Sequence, residues 1–199
     1  MTVSARIAAA LTLSLSLALA PAAAFAAVDD GGVHSWSDIP MEVQKQQTVW
    51  QPTRTLGISL HSTTDITIQA CSKPTGYIVS ALYSNATAVK EAPSFYISEN
   101  PGCADAGYTW YGKVRTFPTK YGSFTIFAQC GWDAAKDKPV PGYNGGNCSA
   151  ADVKTKGGLV IYDQTKKTKA KKTVRTTIES EGLSYAQLLI IAKGLKPLY

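Results

Sequence analysis

The chain is poor in the side chains that metal and nucleophilic chemistry draw on. Of 199 residues only two are histidine, His34 and His61, and four are cysteine. No C-x-x-C occurs, which argues against a thioredoxin-type redox pair and against a zinc site built on paired cysteines. No G-x-S-x-G is present, so the strand-turn-helix nucleophile of the α/β-hydrolases is absent. The run Asp133–Asp137 lacks the D-x-D-x-D-G spacing of a calcium loop, and nothing repeats at a fixed period as in solenoids and propellers. After the leader, no apolar run approaches the roughly 20 residues that a bilayer-crossing helix needs. No metal and no cofactor is expected.

Three weaker constellations remain. His61 stands beside Ser59, Ser62 and Asp65, the members of a triad and hence of a secreted hydrolase. Triads are recognised by spatial roles, with members scattered along the chain, so an exposed strand-end histidine is the preferred reading. His34 with Asp29 and Asp30 could hold a cation, but such a cluster also suits a frayed acidic start. Glu91, Glu99, Asp105, Asp133 and Asp137 fall in or near loops, as a glycosidase pair would, yet nothing marks two of them as special.

What the chain does have begins at its start. One early cation, Arg6, precedes an apolar run from Ile7 to Ala20, and Ala24-Phe25-Ala26 offers a small-residue cleavage site. This is the layout of a secretory signal peptide over residues 1–26, with one exported domain, residues 27–199, behind it. The mature chain is expected to be secreted or periplasmic, without a membrane span. In an oxidising compartment Cys71, Cys103, Cys130 and Cys148 read as two disulfides, for which three connectivities exist. The preferred pairing closes the shorter loops: Cys71–Cys103 with Cys130–Cys148.

Period-two alternation marks strands in "TLGISLHS", "DITIQACS", "GYIVSALYS", "PSFYISEN", "TWYGKVRTF", "GSFTIFAQC", "GGLVIYDQ" and "TVRTTIES". Tyr77, Val79, Ala81 and Tyr83 would share a face, as would Val174, Thr176 and Ile178. A short helix is expected from Asp38 and Pro40 to about Gln46, and residues 131–147 read as an ordered loop. The clearest element is the last: Ser184 and Gln187 form a capping box, and Leu183 with Leu188 form a hydrophobic staple. Leu188, Ile191, Ala192 and Leu195 then make one helix face, with Gly194 and Pro197 as stop signals. The expected fold is α+β: an antiparallel sheet covered on one face by the C-terminal helix, with two disulfides.

That closing strand and helix, "TIESEGLSYAQLLIIAKGL", resembles the end of small extracytoplasmic bacterial domains found on anti-sigma factors and in envelope lipoproteins. Their closing pattern is L-S, two acidic residues, then L-L-x-I-A-x-x-L. Leu183, Ser184, Leu188, Leu189, Ile191, Ala192 and Leu195 match it, while Ala186 and Gln187 replace the acidic pair and no membrane anchor is seen. The resemblance covers about a tenth of the chain. It implies a non-catalytic sensor or binding domain and carries over no functional residue.

Two features bear on binding. The formal net charge is +6, and residues 151–199 supply all of that excess, with ten Lys/Arg against four Asp/Glu. Six of those cations sit in "TKKTKAKKTVR": Lys166, Lys167, Lys169, Lys171, Lys172 and Arg175. Such a hairpin would bind an anionic envelope or extracellular polymer, such as teichoic acid, lipopolysaccharide phosphates or sulfated glycan. It equally serves as a solvated hairpin that guards a sheet edge. Nucleic acid is disfavoured because no aromatic lies inside the run. The second feature is aromatic: Trp110 and Tyr111, together with Tyr108 in "GYTWYGK", and Trp132 and Tyr143 in the loop between Cys130 and Cys148. These could form a glycan- or protein-binding platform, or simply serve as core residues of a β-rich domain.

Overall fold

The computed structural model describes residues 33–61, 66–71, 75–86, 93–103, 107–167 and 172–198. The leader, Asp29, Asp30, Ser62, Asp65, Glu91, Asp105, Lys169 and Lys171 lie outside the described residues. A 3-10 turn, Trp36–Asp38, precedes α1 (Met41–Gln46), β1 (Trp50–Pro52), β2 (Thr67–Cys71), β3 (Gly76–Ser84) and β4 (Ser94–Asn100). Then come β5 (Gly112–Pro118), β6 (Gly122–Ala128), β7 (Trp132–Asp133), β8 (Lys138–Pro139) and α2 (Asp152–Lys156). The chain closes with β9 (Gly158–Gln164), β10 (Arg175–Glu181), α3 (Tyr185–Lys193) and β11 (Leu195–Pro197).

Seven strands form one sheet in the order β2-β3-β4-β10-β9-β6-β5, with every neighbouring pair antiparallel. Because side chains alternate along a strand, register sorts the sequence onto two faces. One row runs Ala81–Ile97–Ile178–Val160–Ile126 across five strands, and all five are buried. The next row, on the opposite face, runs Ser80–Ser98–Thr177–Ile161–Thr125. The first face carries the core.

The C-terminal helix covers only part of that core. Ser184 Oγ accepts from the Gln187 N–H while Gln187 Oε1 accepts from the Ser184 N–H at 2.9 Å, so the capping box is formed. Leu188, Ile191 and Ala192 turn inward, and Leu188 reaches Gly158, where an added Cβ would lie 2.7 Å from its Cδ2. Elsewhere the helix sits loosely on the sheet. The N-terminal segment completes the cover: Trp36, Ile39, Val43, Val49, Trp50 and Ile58 are all buried. Trp36 Nε1 donates to Tyr83 Oη at 2.6 Å, and the Trp50 ring lies 4.8 Å from that of Tyr162. Helix α3 ends at Gly194, and β11 turns back to pair with β1.

Both disulfides, Cys71–Cys103 and Cys130–Cys148, are formed in the preferred pairing. Two such bonds are what an oxidising, extracellular compartment produces. No described helix is long and apolar enough to cross a membrane. One expected strand is absent. Leu56 and Gly57 adopt φ of 58° and 75°, a left-handed turn, so residues 55–61 contribute only an isolated bridge from Leu60 to Tyr83.

Candidate functional site

The polar face of the sheet is roofed, at one end, by the loop expected at 131–147 and by residues 108–111, of which Thr109, Trp110 and Tyr111 were expected to open a strand that begins only at Gly112. At Tyr108 the chain lies over β10, where the Tyr108 hydroxyl hydrogen-bonds Thr177 and Glu179. Tyr108 and Tyr111 meet edge to face at 5.8 Å, and Trp110 leans on Trp132 at 5.9 Å. The Gly131 N–H donates to the Trp110 carbonyl at 2.9 Å, and the Tyr143 ring fills the space where any Cβ on Gly131 would stand. Cys148, bonded to Cys130, sits against Gly112, so one disulfide ties this whole cluster together. The sequence-predicted aromatics therefore gather. All of them are half-buried, however, and they form a packed roof rather than a flat open platform.

Beneath the roof edge is a cleft of about 420 Å³. Glu179 and Glu181 of β10, Tyr96 of β4, Tyr111, Gln129 and the α2 residues Lys154 and Lys156 line it. Glu179 and Glu181 are alternate residues of one strand, so both side chains point into the same space. Tyr96 is one of the few large side chains left exposed. Helix α2 is fixed at its start by Asp152, which accepts from Ser149 Oγ at 2.6 Å and pairs with Lys156 at 2.9 Å. Those contacts, Ser149 first, pull the Asp152 carboxyl down to about 2.

Electrostatics in the cleft follow from partial burial. Burial raises the Glu179 carboxyl above its ordinary range, partly offset by the hydrogen bond from Tyr108. Burial, then the charge of Glu179, the neighbouring Tyr108 and the charge of Glu181, push the Tyr111 hydroxyl up to about 12. Tyr111 thus stays a proton donor throughout the physiological range, beside carboxylate acceptors and two lysine donors. Such a set can hold a molecule dense in hydroxyl groups. Among the described residues, no three His, Cys, Asp or Glu side chains converge as a metal ion would require.

The lysine run is not one strip. It bridges β9 and β10, as expected, but folds against its surroundings: Lys166 N–H donates to the Tyr121 carbonyl and Lys172 N–H to the Gln46 carbonyl. Lys166 and Lys167 are exposed, while Lys172 Nζ donates to the Thr75 carbonyl at 2.7 Å. Arg175 belongs to the polar sheet face, where its Nε meets Asp163 at 2.8 Å. Five register steps, about 17 Å of strand, separate Arg175 from the Ser180 end where the cleft lies. Lys166 and Lys167 therefore lie at the end of the sheet away from the cleft, while Arg175 stands two residues from Thr177, on which Tyr108 rests. His61 is half-buried and its N–H is bound to the Leu82 carbonyl.

Sequence reasoning missed Glu179, Glu181 and Tyr96. One signal was available: the alternation that sends Thr176 and Ile178 inward also sends Glu179 and Glu181 together to the other side. No protein-family model, no curated protein and no solved structure matches this chain.

Proposed function

We propose that this is an exported, non-catalytic glycan-binding module, released from its 1–26 leader, that holds its ligand in the cleft between β10, Tyr111 and α2. The observation that carries the reading is the meeting of two carboxylates, Glu179 and Glu181, with two rings, Tyr96 and Tyr111, at one cavity. Sugar rings stack their C–H faces on aromatic side chains and give their hydroxyls to carboxylate and amide groups. The cleft volume falls in the range of small-ligand sites. The closing strand and helix, with their resemblance to extracytoplasmic sensor and binding domains, fit the same role. Titration of the mature protein with neutral oligosaccharides, followed by calorimetry, tests it. Binding should persist in high salt and weaken at least about tenfold in Tyr96→Ala and in Glu181→Gln. Affinity unchanged from the parent chain in both variants, or release of new reducing ends on incubation, would count against the module.

A second reading, an anionic envelope or extracellular polymer held by the run from Lys166 to Arg175, draws support from the exposure of Lys166 and Lys167 far from the cleft carboxylates. Binding of this kind falls steeply as salt rises. Lysine-to-glutamine changes at 166, 167 and 172 should abolish it, and binding unchanged by them excludes the run.

A further inference from the structure

On the other face of the sheet, at the far edge from the glycan cleft, a second pocket of about 520 Å³ opens between the β5–β6 turn and the α3–β11 corner. It shares no residue with the first. Its floor is aromatic. Trp50, Phe124 and Tyr162 are almost wholly buried, and Phe117 and Tyr121 rise half-buried at the sides. Trp50 lies 5.6 Å from Tyr121 and Phe117 lies 5.0 Å from Phe124, so the rings brace one another. Their polar tips are already engaged: Trp50 Nε1 donates to Gln164 Oε1 at 3.3 Å, and Tyr162 Oη and Thr119 Oγ1 hydrogen-bond at 3.0 Å. The floor therefore offers apolar contact and little else.

The rim is the opposite. Lys120, Lys193 and Lys196 stand around the mouth, and no acidic residue is among those lining it. Lys193 Nζ sits 5.7 Å from the Phe117 ring centroid, Arg115 Cζ 5.2 Å from the same ring, and Lys120 Nζ 5.0 Å from that of Tyr121. Ring faces attract cations, which holds Lys120 and Lys193 at the opening. Lys196 is placed by the β1–β11 ladder, opposite Gln51. A concave site lined by one sign of charge over low-dielectric walls concentrates the opposite charge.

We propose that this pocket binds a small anionic amphiphile, a molecule with a carboxylate head and an apolar body. A neutral apolar ligand would have no use for the lysine rim, and a fully polar anion would leave the aromatic floor unfilled. The head group pairs with Lys193 and Lys196, and the body lies on Phe117 and Tyr121.

Decanoate and its neutral counterpart decanol, both kept below micelle-forming concentration, are the probes. Each is titrated into the full mature chain while tryptophan emission and heat are recorded. Decanoate should bind below about 1 mM and perturb tryptophan emission, with decanol at least about tenfold weaker. Lys193→Gln with Lys196→Gln alters only exposed side chains and should bring decanoate down to the level of decanol. Phe117→Leu, which keeps the apolar volume but removes the ring, should weaken both probes together. Absence of decanoate binding, equal affinity for the two probes, or an affinity untouched by the lysine changes overturns the proposal. So does binding to anionic vesicles with none to monomeric decanoate, because that places a membrane surface where a pocket ligand is proposed.

Discussion

Two neighbouring rows of the sheet, one residue apart in register, are built on different principles. Ala81–Ile97–Ile178–Val160–Ile126 is closed by aliphatic contact against the N-terminal segment and α3. Ser80–Ser98–Thr177–Ile161–Thr125 is closed, where it is closed at all, by hydrogen bonds and by a roof of cross-linked loop. The first face is a core and the second is a surface with a lid. Substitution should read the difference directly. Ile178→Ala leaves a cavity and should cost about 2–5 kcal/mol in urea unfolding. Thr177→Ala, its immediate neighbour, loses a hydroxyl near the Ser98 carbonyl and Tyr108 and should cost about 1 kcal/mol. Equal costs would show that the polar face is packed as tightly as the core.

The disulfides belong to the second principle. Cys71–Cys103 ties the end of β2 to the segment after β4, and Cys130–Cys148 ties the roof to Gly112. Cross-links thus stand where aliphatic burial is scarce. Changing Cys130 and Cys148 together to serine should cost about 2–4 kcal/mol. It should also weaken glycan binding in the cleft more than decanoate binding in the pocket, which the roof does not touch. Equal loss at both sites would mean that the two ends of the molecule unfold together.

What the sequence made legible follows the same division. Period-two alternation located the strands and the core face, because burial of Val79, Ala81, Tyr83 and Ile178 imposes that period directly. The capping box located α3 because its partners are three residues apart. The run at 55–62 looked equally strand-like, but pattern carries no information on the left-handed turn at Leu56 and Gly57. The covering role of residues 33–61 was hidden because an irregular segment has no period to read. The cleft was hidden for a different reason. Tyr96, Tyr111 and Glu179 are far apart in sequence: the β4–β10 pairing sets Tyr96 beside Glu179, and the contact of Tyr108 with β10 carries Tyr111 over them. In the same way Arg175 counted as a free cation until the β9–β10 register set it against Asp163.

Each face also holds a glutamate whose proton is hard to remove, and the two differ in consequence. Glu99 lies on the core face, fully buried, with Oε1 accepting from the Trp50 N–H at 2.6 Å and Oε2 without a partner. Burial lifts its carboxyl well above the ordinary range, and the Trp50 hydrogen bond offsets this only in part. A raised folded-state value means that the contribution to stability is full below the unfolded carboxyl's pKa and is lost as pH climbs through the folded one. Glu179 is shifted in the same direction but is half-exposed, so its share is smaller. Stability should therefore fall as pH climbs above about 4, the ordinary glutamate range. Glu99→Gln keeps an acceptor for Trp50 and should flatten that slope, with a gain on the order of 1–3 kcal/mol at neutral pH. An unchanged slope would assign it to other groups.

The smallest expected change in stability probes the charged end of the polar face. Asp163 and Arg175 are both about half exposed, at 51% and 52%, and such a pair contributes about 0–1 kcal/mol. Asp163→Asn should therefore leave the urea midpoint almost where it was. Its electrostatic effect is larger than its structural one, because Arg175 loses the carboxylate that neutralises it. If an anionic polymer engages the run that ends at Arg175, affinity should rise, and the plot of log affinity against log salt should steepen by about one unit for the added cation. Decanoate binding should not move, since the Lys193–Lys196 rim is on the other face. A salt slope identical to that of the parent chain would mean that any polymer stops short of Arg175, leaving only Lys166, Lys167 and their immediate neighbours to hold it.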